Sequence, residues 1–247
     1  MLDILKNRST VRSYKTTPID ESLLNDLLEA SIRTSTTGNM QLYSIVITRD
    51  EKIKSELSPL HFNQPMIKQA PILMTFCADY NRFDKWCHLR NTDAGCDNFQ
   101  AFMTAAIDAL LVAQTFCVAA ESKGLGICYI GTTTYTTSSI SKVLNLPKFV
   151  VPLATITLGY TDSTPDQVER LPLEAIIHQE QYSDYSEEEI RKHYLAKENL
   201  EVNKRFVTEN NKQNLAQVFT EIRYTKANFE KFSNELLSAI REQGFEF

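Results

Sequence analysis

Residues 98–132 read NFQAFMTAAIDALLVAQTFCVAAESKGLGICYIGT, and the fold follows from how this stretch is read. No Gly or Pro occurs after Asn98 until Gly124. Apolar residues fall on every side of a helical projection: Phe102, Met103, Ala106, Ile107, Leu110, Leu111, Ala113, Phe116, Cys117, Ala119 and Ala120. A helix that is apolar all round is buried on all sides. Some twenty residues at ~1.5 Å each span ~30 Å, about the width of a small domain. Thr104, Asp108, Gln114 and Thr115 interrupt the run, which argues against a membrane span of ~20 predominantly apolar residues. A central helix is therefore predicted, covered by the rest of the subunit or by a second one. Ser122-Lys123-Gly124 closes it with a glycine C-cap. Leu125 to Gly131 then reads as a buried strand that ends on a glycine, where backbone can approach a ligand closely.

Working outward, three more β-branched or apolar runs read as strands: Tyr43–Thr48, Ile72–Ala78 and Val150–Leu158. Pro152 predicts an irregularity near the start of the last. Helices are predicted over 2–8, over 23–33 behind an Asp20 cap, over 51–57 behind Asp50, near 66–69 and over 138–144. Arg8 to Tyr14 reads as an extended basic segment. Residues 79–98 hold the only Trp and read either as a mobile flap or as a plain surface connection. A Pro-rich segment, 163–173, crosses the surface. Residues 186–247 are charged and helical, and Ile222, Phe229, Phe232, Leu236, Leu237 and Ile240 form one apolar stripe that has to dock on something. Interleaved strands and helices give a mixed α and β class.

Composition narrows the function classes. The 247 residues are 43% hydrophobic and 23% charged, ordinary for a soluble domain. A net charge of -5 offers no basic field for nucleic acid or an anionic membrane surface. The N-terminus, MLDILKNRS, has no apolar signal-peptide core, so cytoplasm is the expected compartment. Five cysteines and four histidines lie at no metal-binding spacing, and no metal is expected. Cys77, Cys117 and Cys128 sit in apolar runs and read as core; Cys87 and Cys96 read as more exposed.

No GxSxG, HExxH, P-loop or Rossmann pattern is present, so the candidates are binding loops rather than nucleophiles. Arg8-Ser9-Thr10-Val11-Arg12 places two guanidiniums four residues apart around two hydroxyls, which suits a phosphate and equally a basic surface strand. Thr36-Thr37-Gly38-Asn39-Met40-Gln41 offers hydroxyls and amides for a polar ring edge, as ordinary loops also do. Tyr129-Ile130-Gly131-Thr132 ends the strand, and Arg170 lies in the Pro-rich segment.

In this order these elements resemble the nitroreductase family, in its branch of oxygen-insensitive NADPH-dependent nitroreductases and flavin reductases. The points of resemblance are RSTVR, TSTTGNMQ, Phe76 to Arg82 (FCADYNR), Ala119 to Gly126 (AAESKGLG) with Tyr129-Ile130-Gly131 after it, and Arg170-Leu171-Pro172. They cover roughly residues 5–182. The resemblance implies an α+β nitroreductase-like fold: a central mixed sheet flanked by helices around a long buried helix, with a helical C-terminal arm. Residues 1–182 would be the FMN-binding domain and 183–247 the arm. It implies a homodimer holding one FMN per subunit at the interface. Arg8 would hold the FMN phosphate, with Ser9 and Thr10 beside it. Arg12 would lie toward the N1/O2 edge, where positive charge stabilises reduced flavin. Thr36 and Asn39 would come from the facing subunit or loop. Gln64 would reach the polar edge, and Tyr129, Ile130, Gly131 and Thr132 would line one face. Arg170 would add a phosphate contact, and Lys204 and Arg205 would meet the 2′-phosphate of NADPH. The reaction implied is ping-pong two-electron transfer from NADPH or NADH to nitroaromatics, quinones or free flavin. Flavin N5 carries the hydride, and no side chain acts as acid or nucleophile.

Three positions depart from the family pattern. Ser9 stands where a second basic residue is usual, Val168 where a basic residue precedes Arg170 by two, and Thr132 where a second glycine follows Gly131. The first two remove charge from the phosphate end and predict weaker FMN retention. The third narrows the pocket. Other readings stay open on the residues alone: a relative that fragments or dehalogenates its substrate, a flavin-binding protein without turnover, and a helical interaction protein built on the C-terminal arm.

Overall fold

The four apolar runs become the strands of one sheet in the computed structural model, which describes residues 1–163 and 165–247; Thr164, within the Pro-rich segment, lies outside the described residues. The strands are β1 (Tyr43–Thr48), β2 (Ile72–Asp79), β3 (Gly126–Ile130) and β4 (Val150–Gly159), in the spatial order β1-β2-β4-β3. Every pairing is antiparallel, so the mixed sheet of the sequence reading is corrected. Hydrophobic period fixes which face a strand buries, not the direction in which it runs. β2 is buried along its whole length because it lies between two neighbours and under a helix. The register slips between Phe76 and Cys77, where Cys77 faces Pro152 and Leu153 is left over. A proline with no N–H to give is accommodated by such a bulge.

The helices are α1 (Leu2–Asn7), α2 (Glu21–Ser31), α3 (Glu51–Leu60), α4 (Pro65–Gln69), α5 (Asn81–Leu89), α6 (Phe99–Ser122), α7 (Thr137–Val143), α8 (Glu187–Glu198), α9 (Glu201–Glu209), α10 (Leu215–Gln217, running into a π turn at Val218–Arg223) and α11 (Lys226–Glu242). Asp20 and Asp50 accept backbone N–H bonds at the starts of α2 and α3. Residues 79–98 are a helix and a short return rather than an open flap. Asp84 accepts from Cys96 Sγ at 3.7 Å, and both Cys87 and Cys96 are buried, against the expectation of exposure. α5 turns Cys87 inward and the return beyond it buries Cys96, a three-dimensional effect that a short polar stretch does not announce. Burial pushes the Cys96 and Cys117 thiols up to about 12, so both are inert neutral groups.

α6 is capped by Asn98 and packs on β2 and α2, with Ala105, Ala109, Val112, Ala113, Phe116 and Ala120 fully enclosed. It is long and apolar enough to cross a membrane by length and composition, yet it buries Asp108 in the protein core. Its own chain does not cover it all round, however. Phe99, Met103, Ile107, Leu110 and Leu111 stand 37–49% exposed in one stripe.

The chain divides into two compact units. The first is Met1–Asp166 with Phe232–Phe247, and the second is Gln167–Lys231. Within the first unit, Phe232 stacks on Tyr135 with centroids 4.2 Å apart, and Phe245 is buried against Phe102 and Phe149. The stripe expected from Ile222 onward is broken: Ile222 lies in the π turn, and α11 starts anew at Lys226. Within the second unit, Ser186 and Glu189 form a capping box at α8, Lys197 pairs with Glu169 at 2.9 Å, and Arg223 lies over the Phe206 ring.

Candidate functional site

The arginine segment is laid along β3. Val11 donates its N–H to the Ile127 carbonyl (3.0 Å) and its carbonyl accepts from the Tyr14 hydroxyl (2.7 Å). Tyr14 also hydrogen-bonds Thr157 Oγ1 at 2.6 Å, and burial pushes its phenol well above the ordinary range. The Val11 side chain lies against Gly126, where any Cβ would come within 2.9 Å of three of its carbons. Arg8 and Arg12 therefore stand on either side of a residue tied to the sheet. Arg8 donates to Glu121, at the end of α6, through Nε (3.3 Å) and Nη2 (3.1 Å). Arg8, Ser9, Glu121 and Gly124 line a cleft of about 250 Å³. Arg12 is exposed and lies close enough to Cys128 to favour its thiolate, although burial dominates and the thiol pKa is raised.

β3 delivers Tyr129 to Thr132 to its open end. Ile130 is buried while Tyr129 and Gly131 are exposed, and a Cβ on Gly131 would meet nothing within 4 Å. Gln64, the residue before α4, donates to Thr132 Oγ1 at 3.3 Å. The structure thus brings Gln64 to Thr132, and the arginine segment to the same strand. A residue that the sequence reading passed over joins them: His61 Nδ1 lies 3.0 Å from Thr132 Oγ1. His61 is completely buried and, among the described residues, its Nε2 has no partner. Burial lowers its pKa to about 4.

This lowered pKa has a consequence for stability. With an ordinary value near 6.5 in the unfolded chain, the unfolded state binds more protons between about pH 6.5 and pH 4. The contribution is complete above that window and is lost as pH falls through it. From pH 7 to pH 5 the protein is expected to lose about 2 kcal/mol through His61 alone. Urea unfolding of wild type and His61→Asn at both pH values measures this; equal losses would show that the ring titrates normally.

Thr36 and Asn39 are placed by a different device. Asp108, fully buried in α6, accepts from the Thr37 N–H at 2.9 Å and from the Leu42 N–H at 3.1 Å, spanning the loop. Arg82 of the FCADYNR run donates to the carbonyls of Gln41 and Tyr43, and the Asp79 N–H donates to the Leu42 carbonyl at 2.9 Å. Gly38, Asn39 and Gln41 all take left-handed φ values, of 55°, 56° and 57°. Such a loop holds its shape only because the surroundings over-determine it.

Arg170, Lys204 and Arg205 belong to the second unit. Arg170 donates to the carbonyls of Val168 and Glu169, Lys204 pairs with Glu201, and Arg205 with Glu209. Among the described residues no group of three or more His, Cys, Asp or Glu side chains is arranged to hold a metal ion.

The model of the nitroreductase family matches residues 5–160, which takes in the arginine segment, the 34–42 loop, Gln64 and the end of β3. The chain belongs to the nitroreductase family. A Bacteroides fragilis crystal structure, provisionally named an oxidoreductase, shares 54% identity with a TM-score of 0.97 over 99% of this chain and 100% of its own. The FMN reductase (NADPH) of Bacillus subtilis is 32% identical over 74% of each chain. The oxygen-insensitive NADPH nitroreductase of Salmonella typhimurium is 30% identical over 79% of this chain and 83% of its own. As a nitroreductase-family protein, this chain is an oxidoreductase.

Proposed function

We propose that this nitroreductase-family protein is an FMN-dependent reductase that uses NAD(P)H, NADPH being favoured, to reduce nitroaromatics, quinones or free flavin. It acts as a cytoplasmic homodimer. The observation that carries this reading is β3 itself: the arginine segment is laid along its first residues, and its far end is open at Gly131 with Gln64 bound to Thr132. A flat ring needs such a place, where backbone is exposed beside fixed amide donors and no Cβ intrudes.

The residues present fit FMN. Arg8, with Ser9 and Thr10, would hold its phosphate, and Arg12 would put positive charge beside the ring. Tyr129, Ile130, Gly131 and Thr132 would line one ring face, and Gln64 its polar edge. Thr36 and Asn39 would complete the site from the facing subunit or loop. Arg170 would join the phosphate contacts. When bound, FMN supplies the two-electron chemistry between NAD(P)H and the acceptor. Arg8 has to share its guanidinium between phosphate and Glu121, a carboxylate already within 3.1 Å. No side chain acts as acid or nucleophile; the chain binds, orients and supplies charge. Lys204 and Arg205 would meet the 2′-phosphate of NADPH, each released from its glutamate partner on α9.

The exposed stripe of α6 supports the homodimer, because five large apolar side chains on one buried-core helix need a cover. Leu110→Glu is expected to make the protein monomeric in sedimentation velocity and to cost it FMN. A dimer of unchanged stability would place the interface elsewhere.

The missing charge at Ser9 and Val168 has a measurable effect. A restored charge-assisted contact contributes about 1.5–3 kcal/mol, so Val168→Lys is expected to tighten the FMN Kd roughly ten- to a hundredfold. Fluorescence titration of the apoprotein checks this, and an unchanged Kd would show that position 168 does not serve the phosphate.

The visible absorption spectrum before and after anaerobic NADPH tests the whole reading. A flavin spectrum that bleaches with NADPH and recovers with a quinone supports it. A protein that stays colourless after reconstitution with FMN overturns it.

A further inference from the structure

The hydroxyl of Thr132, at the open end of β3, is held from two sides. Gln64 Nε2 lies 3.1 Å from the His61 carbonyl oxygen and 3.3 Å from Thr132 Oγ1. A carbonyl oxygen only accepts, so the Gln64 atom facing it is the amide nitrogen, and its other hydrogen goes to Thr132. His61 Nδ1 approaches the same Oγ1 at 3.0 Å. The ring is neutral, with its pKa near 4, and carries one N–H. On Nε2 that hydrogen would be a buried donor with no acceptor, which is rarer and costlier than a bare ring nitrogen. The hydrogen therefore sits on Nδ1 and is donated to Thr132. Oγ1 thus accepts twice, which fills both its lone pairs. Its own proton has to leave in a third direction. Among the described residues its side-chain partners are these two donors, and Thr132 is half-buried beside the open Gly131.

We propose that His61 is a positioning residue which, with Gln64, turns the Thr132 hydroxyl proton outward as a hydrogen-bond donor to the isoalloxazine ring at the end of β3. This rests on the FMN reading above. A donor aimed at ring heteroatoms favours the electron-rich, reduced ring over the oxidised one. Beside the exposed backbone at Gly131, the chain adds a side-chain donor whose direction is set from behind.

The test uses FMN-loaded protein and two readouts besides turnover: the FMN Kd and the two-electron midpoint potential from dye equilibration. Thr132→Val and His61→Leu are each expected to lower the preference for reduced over oxidised FMN about tenfold, which is about 30 mV for a two-electron couple. Thr132→Ser keeps the hydroxyl, and His61→Asn keeps an N–H donor near the Nδ1 position; both are expected to stay within about twofold of wild type. The double variant Thr132→Val/His61→Leu is expected to lose no more than either single one, because both act through one proton. An unchanged potential in Thr132→Val overturns the proposal. Additive losses in the double variant overturn it too. If wild type binds FMN and the variants match it, only this proposal falls; if wild type binds no FMN, the functional reading falls and takes the proposal with it.

Discussion

Asp108→Ala is expected to destabilise the protein by about 4 kcal/mol and to weaken FMN binding in the fraction that stays folded. The carboxylate is fully buried in the middle of α6 and accepts from two backbone N–H groups five residues apart on the 34–42 loop. Each bond to a charged acceptor contributes about 1.5–3 kcal/mol, and its removal leaves a donor to desolvation without compensation. Leu42 is completely buried, so water does not replace the missing acceptor at its N–H. Asp108→Asn is expected to lose about 2 kcal/mol, because one amide oxygen remains and the amide N–H₂ faces the other donor. Urea unfolding of apoprotein ranks the two variants. A loss in Asp108→Ala of under about 1 kcal/mol would mean that the loop keeps its shape without this acceptor. The functional half has a separate readout: Thr36 and Asn39 ride on the loop, so the FMN Kd is expected to rise at a temperature where the variant is fully folded.

Asp108 also shows where sequence reasoning reaches and where it stops. In a sequence it is a polar interruption that argues against a membrane helix, and nothing nearby says what it holds. Its partners are 71 and 66 residues away. His61 is the same case: one of four scattered histidines, given a role only by Thr132 at a separation of 71 residues. What was legible depended on local pattern. The strands over 43–48, 72–79, 126–130 and 150–159 fall within a residue of their apolar runs, because a buried strand writes its length directly into composition. The Asp20 and Asp50 caps were readable for the same local reason. Strand direction was not readable, since a period of two is the same in either sense. Nor was the inward roll of Cys87 and Cys96, nor the break at Tyr224 that separates Ile222 from the α11 stripe. The loops of the candidate site stood out through family likeness rather than chemistry. Taken singly, RSTVR or TSTTGNMQ looks like any polar segment, and only the fold shows Gln64 meeting Thr132 and Val11 lying on β3.

That last contact sets up the second large effect. Gly126→Ala is expected to cost about 3 kcal/mol and to lower FMN affinity at the same time. The new Cβ would fall 2.7 Å from Val11 Cγ1, 2.8 Å from Cβ and 2.9 Å from Cγ2. Neither side has room to give. Val11 is β-branched and buried, its N–H is bound to the Ile127 carbonyl, and its own carbonyl is bound by Tyr14. The relief open to the chain is to lift residues 8–12 off β3, and that movement takes Arg8 and Arg12 with it. A purely structural glycine would lose stability without changing how the folded fraction binds FMN, so the two measurements separate the explanations. The compensating change is Val11→Gly, which removes all three clashing carbons; Val11→Ala leaves the Cβ that lies 2.8 Å away. Val11→Gly is destabilising in the wild-type background through lost burial and added backbone freedom. In the Gly126→Ala background it is expected to cost less by about 2 kcal/mol, as contacting residues couple rather than add. Recovery of FMN affinity in the double variant would show that the arginines are placed by this one close approach of side chain to glycine. Additive losses of stability, with FMN binding unchanged throughout, would show that the segment finds its position by other means.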